Sequence, residues 1–318
     1  MKKILTISTL FLLLLSGCGE ENTLITDYYD VHIGIIQLMD HPALEDARQG
    51  FVYSIENQGF LVNWDYQNAQ GDHSTLQTIS QRFVNNDVDL VLAISTPSAL
   101  SIANETDTIP IVGTAITSYE AANLVQSNES PGFNVTGASD MNPVEAQIEL
   151  MFEFLPNATH IGLLYSSGEP NSVLQAGMAR DYLDAMGVSN ETLTITGIND
   201  LQQVATTLAS RVDAIWIPTD NNIANAMPVI YQISLDSGTP FFAAEGNMTM
   251  VGGIGTLSIN YFDLGYQSGI MAGYILRGES EPATMPIQFA QGLTYIVNGH
   301  MADLLGIIIP ERLLPYVE

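Results

Sequence analysis

Hydroxyl and amide side chains cluster where short apolar segments of the sequence end. At the start of a helix, backbone N–H groups lack a partner within the helix, and together with nearby hydroxyl groups they bind carboxylate or phosphate. Plain N-capping explains a single loop of this kind better, but the recurrence of such loops at successive strand ends favours a binding role. The candidate residues are Ser95, Thr96, Pro97 and Ser98, then Thr114 and Ala115, and Asn171 in the second half.

Acidic side chains follow two other apolar runs and are candidates for binding a cationic group. Asp220 and Asn221 come after the run 214–217, and Glu245 comes after the run 240–243. A carboxylate at the end of a buried strand could accept an ammonium group, because a charge-assisted hydrogen bond is strong once water is excluded. Capping of the following helix explains Asp220 equally well.

Two polar residues near the first apolar run, 31–38, could line the same cleft. They are Gln37, within the run, and His41, just after it. A lone histidine in such a position serves packing or capping more often than ligand binding. Packing or capping is therefore the alternative for His41.

The sequence contains no pattern that indicates an enzyme. A nucleophile elbow, a phosphate-binding Walker loop and a dinucleotide-binding glycine pattern are all missing. The five histidines are scattered without the spacing of metal ligands. We therefore expect no catalytic residues, no metal site and no cofactor. The histidines are His32, His41, His73, His160 and His300.

Strand-length apolar runs alternate along the chain with segments of helical spacing, which is typical of right-handed βαβ units and parallel sheets. The alternation fills one half and then repeats in a second half of similar size, so two lobes are expected. The sequence predicts strands at 31–38, 61–66, 89–94, 109–112, 160–165, 192–196, 214–217 and 240–243, and helices at 43–58, 74–86, 97–104, 143–154, 172–186, 201–210 and 223–236.

The chain is expected to pass between the two lobes three times, at 131–137, near 255–260 and near 286–292. Ligands of open parallel sheets sit beyond the carboxyl ends of the strands, so the candidate loops would meet in a cleft between the lobes. The expected ranges are 31–137 with about 260–286 for the first lobe, and 138–258 with about 290–318 for the second.

The N-terminus has the features of an export signal. Met-Lys-Lys precedes an apolar stretch at 4–15, which is shorter than the roughly 20 residues of a membrane span. Leu-Ser-Gly-Cys at 15–18 resembles the bacterial lipobox, in which the cysteine becomes lipidated. We expect residues 1–17 to be removed, Cys18 to carry lipid and residues 18–30 to form a tether. An ordinary signal peptide with an incidental cysteine is the alternative.

Acidic residues dominate the charge of the chain, with 35 Asp and Glu against eight Lys and Arg. Two of the eight are Lys2 and Lys3 in the expected signal, and the remaining six are arginines. Such a surface repels the phosphate backbone, which excludes nucleic acid as a partner. It also disfavours anionic lipid, so the lipid on Cys18 would have to supply the membrane attachment.

Several stretches of the chain resemble one family of proteins. The stretches are 35–44 (IIQLMDHPAL), 65–71 (DYQNAQG), 92–97 (LAISTP), 134–145 (NVTGASDMNPVE), 217–221 (IPTDN) and 261–265 (YFDLG). Together they span the mature chain. They are similar to the substrate-binding proteins of ABC transporters, in the group that includes tryptophan- and tyrosine-uptake lipoproteins.

The resemblance implies a type I periplasmic-binding fold, an α/β architecture in which each lobe is a parallel sheet with helices on both faces. It implies an exported protein that delivers a small solute, narrowed to an aromatic amino acid, to an ABC permease. Ser139, within the stretch 134–145, joins the binding candidates on this ground. The loop at 243–248 departs from the serine–aspartate pair usual in relatives, which leaves a different amine or a neutral solute open. A sensor that signals through a membrane partner, or a surface enzyme, is the alternative function.

Overall fold

Two buried apolar runs of the first half form neighbouring parallel strands at the centre of a six-stranded sheet. They belong to a computed structural model that describes residues 29–318. Both strands are buried on both faces, which explains their nearly unbroken apolar sequence. The elements of this first lobe are β1 (Tyr29–Gln37), α1 (Pro42–Asn57), β2 (Phe60–Asn68), α2 (His73–Asn85), β3 (Leu90–Ile94), α3 (Thr96–Ala103), β4 (Ile111–Ile116), β5 (Val135–Ser139), α10 (Tyr261–Leu276) and β11 (Gln288–Phe289), with strand order β11-β5-β4-β3-β1-β2.

The second lobe has a four-stranded parallel sheet and a separate antiparallel pair of strands. Its strand order is β7-β6-β8-β9, and β10 pairs with β12. The elements are α4 (Val144–Phe154), β6 (His160–Ser166), α5 (Pro170–Met186), β7 (Ser189–Ile195), α6 (Leu201–Ala209), β8 (Ala214–Ile217), α7 (Asn221–Asn225), α8 (Met227–Ser237), β9 (Phe241–Ala243), α9 (Gly246–Gly252), β10 (Gly255–Ser258), β12 (Thr294–Val297) and α11 (Gly299–Leu305).

One predicted helix is broken in the structure. The segment 223–236 was expected to be continuous, but α7 ends at Asn225 and α8 begins at Met227. Pro228 causes the break, because it has no N–H to donate to Ala224 and its ring would clash with that carbonyl in a continuous helix. The break leaves α7 as a single short turn at the cleft, whose first residue is Asn221.

The chain passes between the two sheets at residues 140–143, 259–260 and 290–293. The first passage lies later than expected, because residues 135–139 pair with β4 as strand β5. We call these three segments the first, second and third crossing. The lobe ranges expected from the sequence stay a prediction.

Close packing of α10 on α1 places the start of α10 beside the cleft. A Cβ atom at Gly265 would overlap the carbonyl oxygen of Ala47, so only glycine allows the two backbones to approach so closely. α10 thereby completes the first lobe although it follows the second lobe in sequence. Its first residue, Tyr261, is buried at the second crossing.

The N-terminal expectations fall mostly outside the part of the chain that the structure describes. Cys18 and residues 1–17 lie outside it, as does the expected tether up to residue 28. β1 begins at Tyr29, two residues before the strand predicted from the sequence. Within residues 29–318, no helix is both long and apolar enough to span a membrane.

Candidate ligand-binding site

The carboxyl ends of strands from both sheets surround a narrow cavity between the lobes. This is the position at which open parallel sheets bind ligands. The first lobe contributes His41, Ala43, Leu44, Ala115 and Thr117, the second contributes Asn171, Thr219, Asp220, Asn221, Ala224, Glu245 and Met248, and the crossings contribute Asp140 and Tyr261.

Glu169 organises the second-lobe wall of the cavity. One carboxyl oxygen accepts hydrogen bonds from the backbone and side-chain nitrogens of Asn221 at 3.0 and 2.5 Å. The other accepts the corresponding pair from Asn222 at 3.0 and 2.8 Å. Burial, and then the charge of Asp220, raise the pKa of Glu169 to about 8. The four N–H donors oppose this rise in pKa, because they form hydrogen bonds with the ionised carboxylate. A proton on either oxygen would have no acceptor among them.

The carboxylate of Asp220, a candidate ligand contact from the sequence, caps helix α7. One oxygen accepts from the backbone N–H of Ser166 at 2.6 Å. The other accepts from the Ser166 hydroxyl at 2.8 Å and from the N–H of Ile223 at 3.0 Å. Both oxygens are therefore engaged within the second lobe. Burial raises the pKa of Asp220 against the effect of these bonds.

Glu245 plays the same structural part at α9. Its two carboxyl oxygens accept the backbone N–H groups of Asn247 at 2.7 Å and Met248 at 2.9 Å. The side chain is 4% exposed, and burial raises its pKa to about 7. Glu245 lines the cavity, and its oxygens also hold the start of a helix.

The first crossing contributes a further acid, Asp140. The hydroxyl of Tyr261 donates to its Oδ2 atom at 3.0 Å. Burial raises the pKa of Asp140 to about 6, outweighing the opposing effect of the hydroxyls of Thr117 and Tyr261. Among the described residues, none of the side chains that line the cavity is a lysine or arginine. The cavity is therefore rich in buried acids that no cationic side chain neutralises.

Direct contacts between the lobes close the cleft. His41 of the first lobe lies 3.0 Å from Asn221 Oδ1 of the second, measured from its Nε2 atom. The amide oxygen can only accept, so Nε2 carries the proton and Nδ1 of the neutral ring is an acceptor. The hydroxyls of Thr117 and Thr219 also meet across the cleft at 3.4 Å. Burial lowers the pKa of His41, which keeps the ring neutral in this closed arrangement.

Two backbone outliers lie at the strand ends that form the first-lobe side of the cleft. Ser95 has φ 95° and ψ 156°, a region that is nearly restricted to glycine. Ala115 has φ 53°, at an irregularity between β4 and β5. Non-glycine residues in such conformations cost on the order of 1–3 kcal/mol each and cluster at ligand sites. Their position supports a binding role for this edge of the sheet.

The structure gathers some of the predicted site residues at the cavity and places others elsewhere. Thr96 lines a smaller neighbouring cavity that shares Asn171, and Pro97 lines a groove facing Pro170. Four predicted residues that lie away from the cavity form hydrogen bonds within the first lobe: Gln37 donates to Met39, Ser95 donates to Ser98, and Ser139 donates to Thr117. A fifth, Thr114, is buried, and its hydroxyl has no partner among the described residues. The predicted residues at the cavity are His41, Ala115, Asn171, Asp220, Asn221 and Glu245.

Sequence reasoning passed over several residues of the cavity. Asp140 and Tyr261 both lie in stretches that carry the family resemblance, but 121 positions separate them and helix α10 was not predicted. An acid directly after a buried strand was the available signal for Asp140, since the same signal selected Asp220. Leu44, Met248, Thr117 and Thr219 also line the cavity.

Comparison with known proteins identifies the family. Residues 32–318 match the family model described as ABC transporter substrate binding protein. This chain belongs to that family. Its members bind substrates rather than catalyse reactions, and those of ABC importers work outside the cytoplasm. Among residues 29–318, no group of three or more His, Cys, Asp or Glu side chains could hold a metal ion.

Individual relatives cover nearly the whole chain of this substrate-binding protein. A tyrosine-binding protein of Clostridioides difficile (strain R20291) is 34% identical over 312 residues, covering 93% of this chain and 90% of that protein. An ABC domain in complex with L-Trp from Streptococcus pneumonia is 36% identical, with a TM-score of 0.88 over 91% of this chain and 100% of that chain. The fold is that of type I periplasmic binding proteins.

A third relative separates conformation from sequence. The ligand-free, open structure of a substrate binding protein with adhesive properties from Clostridium difficile is 38% identical, covering 89% of this chain and 97% of that chain. Its TM-score is only 0.69, against 0.88 for the L-Trp complex of nearly equal identity. That structure is open and free of ligand, whereas hydrogen bonds join the two lobes of this substrate-binding protein across its cleft.

Proposed function

We propose that this chain is an exported lipoprotein that captures an aromatic amino acid between its lobes and delivers it to the permease of an ABC importer. The observation that carries the proposal is the enclosed cavity, whose buried acids lie beside apolar side chains. Acids without a neighbouring cation favour a ligand with an ammonium group. The relatives that bind tyrosine and L-Trp support the same class of ligand.

The other groups of an amino acid also find complementary partners. The hydroxyls of Thr117 and Thr219, which meet across the cleft at 3.4 Å, suit a carboxylate. Leu44 and Met248 offer apolar surface to a ring. A zwitterion with an apolar side chain uses all of these groups at once.

Asn171 supports a ring that carries a hydrogen-bond donor. Its Nδ2 atom donates to the carbonyl of Thr219 at 2.9 Å, which directs Oδ1 as the acceptor. Among the described residues, Oδ1 has no hydrogen-bond partner, and the residue is 6% exposed. The phenol of tyrosine or the indole N–H of tryptophan would satisfy this oxygen. We therefore expect both to bind more tightly than phenylalanine, which leaves it unpaired.

Calorimetric titration tests the ligand. We expect binding of tyrosine and tryptophan, weaker binding of phenylalanine, and much weaker binding of the deaminated analogues of each. Mass spectrometry of ligand retained through purification gives an independent identification. Wild-type protein that binds none of the three amino acids, and retains a solute without an amino group, would contradict the proposal.

Membrane attachment is tested at Cys18. Cys18→Ala should move the protein from the membrane fraction to the soluble fraction and remove the lipid from its intact mass, because the thiol is the site of attachment. Asn22→Ala, in the expected tether, is the matched control and should stay with the membrane. A Cys18→Ala variant that fractionates like the wild type would disprove the lipobox interpretation.

Delivery is tested by uptake of the radiolabelled amino acid. Cells that lack this chain should lose high-affinity uptake and regain it from a plasmid copy. Unchanged uptake together with a lost transcriptional response to the solute would instead identify a sensor.

A further inference from the structure

Asp140 differs from the other acids of the cavity in having an oxygen to spare. The side chain is 3% exposed and lines the cavity directly after β5. Its Oδ2 atom accepts the Tyr261 hydroxyl, and the Thr117 hydroxyl lies near the carboxylate, but Oδ1 has no hydrogen-bond partner among the residues that the structure describes. An acceptor this deeply buried is expensive to leave unpaired, so a missing partner is expected at Oδ1.

The acids of the second lobe contrast with this arrangement. Each carboxyl oxygen of Glu169, Asp220 and Glu245 accepts at least one backbone N–H or hydroxyl group of its own lobe. These bonds hold the starts of α7 and α9. The hydrogen bonds of the second-lobe acids are therefore complete without a ligand, whereas those of Asp140 are not.

Asp140 also lies where the three crossings meet. It is the first residue of the first crossing, and its partner Tyr261 directly follows the second. The backbone carbonyl of the neighbouring residue, Ser139, accepts the N–H of Ala290 from the third crossing at 3.2 Å. A ligand group bound to Asp140 is therefore connected to all three crossings: to the first directly, to the second through the hydrogen bond with Tyr261, and to the third through Ser139.

We propose that Asp140 binds the ammonium group of the ligand through Oδ1 and thereby links ligand recognition to the crossings between the lobes. The inference rests on the proposed function, since it assumes an amine-bearing ligand. The Tyr261 hydroxyl fixes the carboxylate, so Oδ1 faces the ligand in one orientation. The raised pKa of Asp140 fits this role, because a bound ammonium group would restore the ionised form that burial disfavours.

The decisive variant is Asp140→Asn, which keeps the shape of the side chain and an oxygen for Tyr261 but removes the charge. We expect at least about a 100-fold loss of affinity for the amino acid, because a buried ammonium loses its charged partner. Affinity for the deaminated analogue should change less than about threefold. Asp213→Asn is the control for loss of a carboxylate away from the cavity, since Asp213 directly precedes β8 and accepts the backbone N–H groups of Thr159 and His160, and it should leave the preference intact.

A crystal structure of the wild type with bound amino acid tests the same inference without a variant. The ammonium nitrogen should lie about 3 Å from Asp140 Oδ1. An ammonium group held by Asp220 or Glu245 instead, or an Asp140→Asn protein that keeps the amine preference, would overturn the assignment.

Other outcomes separate this inference from the proposed function. If the wild type binds an aromatic amino acid and its deaminated analogue equally, the role of Asp140 is wrong while an aromatic ligand stands. If it binds only non-aromatic amines and Asp140→Asn abolishes their binding, the aromatic ligand is wrong while the role of Asp140 stands. Binding of no amine at all overturns both.

Discussion

The acidic residues of the second-lobe wall and the acidic residue at the crossings differ in how their carboxyl oxygens are hydrogen-bonded. On the second-lobe wall, Glu169, Asp220 and Glu245 each turn their carboxylates toward backbone N–H groups of their own lobe. At the crossings, Asp140 keeps one oxygen without a partner among the described residues. Among residues 29–318, the first lobe brings no acid to the cavity and supplies His41, Leu44 and small side chains instead.

The comparison teaches that an acidic residue at a strand end is not by itself a ligand contact. A carboxylate whose lone pairs are filled contributes a negative field and a fixed helix start, whereas one with an unfilled lone pair can also form a directed bond. The second-lobe acids and Asp140 should therefore respond differently to substitution. The former should affect the free energy of unfolding most, and the latter should affect recognition.

The largest effect on stability is expected at Glu169. Glu169→Ala leaves four buried or half-buried N–H donors of Asn221 and Asn222 without their acceptor. Since an unsatisfied buried donor costs about 1–3 kcal/mol, the free energy of unfolding should fall by about 3 kcal/mol or more. Denaturant unfolding measures the change. Glu149→Ala, which removes an acid that accepts only the exposed Tyr182 hydroxyl, is the control and should stay within about 0.5 kcal/mol of wild type.

A smaller loss of stability is expected at Asp220. Asp220→Ala removes the cap of α7 and the acceptor for both groups of Ser166, so the free energy of unfolding should fall by about 2 kcal/mol. The ratio of affinities for the amino acid and its deaminated analogue should stay high. A ratio that collapses in Asp220→Ala but survives in Asp140→Asn would reverse the comparison between the two acids.

Asp220 and Asp140 show how far the sequence alone could predict the site. The alternation of strands and helices predicted the two-lobed α/β fold, because apolar periodicity directly reflects burial in parallel sheets. It also placed Asp220 at the end of β8 and left capping and binding open. Choosing between them requires the positions of Ser166 and Ile223, of which the first lies 54 residues away.

Asp140 carried the same signal in the sequence as Asp220, an acid directly after a strand, but its hydrogen-bond partner could not be predicted. Its partner Tyr261 comes from a helix that returns to the first lobe only after the second is complete. No local pattern encodes that proximity. Likewise, the break of the helix predicted at 223–236 depends on Pro228, whose effect the apolar spacing masks.

The affinity for an amine should depend on pH, with a sign set by the raised pKa values. Asp140 and Glu245 have pKa values of about 6 and 7, above their ordinary range. The negative charge of their ionised forms favours a bound ammonium group, so affinity should be full above about pH 8. As the pH falls below 6 it should drop by up to about tenfold per unit for each proton that must be released. Calorimetry at pH 5, 6, 7 and 8 measures this dependence.

The deaminated analogue is the control for the pH series. It carries only a negative charge, so its affinity should not fall as the acids become protonated. The ligand-free protein should show the opposite trend in stability, because a folded state with raised carboxyl pKa values binds more protons than the unfolded chain. Its free energy of unfolding should therefore fall as the pH rises from about 4 to 8, because Glu169, with a pKa of about 8, ionises last. An amine whose affinity is flat from pH 5 to 8 would contradict the role assigned to these acids.

The smallest effect is expected at the rim of the cleft, where a contact joins the lobes without touching the cavity. The side chain of Asp46 on α1 interacts with that of Asn247 on α9, which lowers the Asp46 pKa against the effect of burial, and both residues are half-buried. The interaction is made only while the lobes are closed, so Asn247→Ala should shift the equilibrium toward the open form by about 0.5 kcal/mol. Affinity should fall about twofold, equally for the amino acid and its deaminated analogue, because both bind the closed form. Asp46→Ala should have the same effect, and the double variant should add little, since the two changes remove one interaction.

Small-angle scattering of the ligand-free proteins provides the structural measurement, with a slightly larger radius of gyration expected for the variants. A loss confined to the amino acid would show that the rim contributes to amine recognition, and the division between closing contacts and the crossing acid would fail.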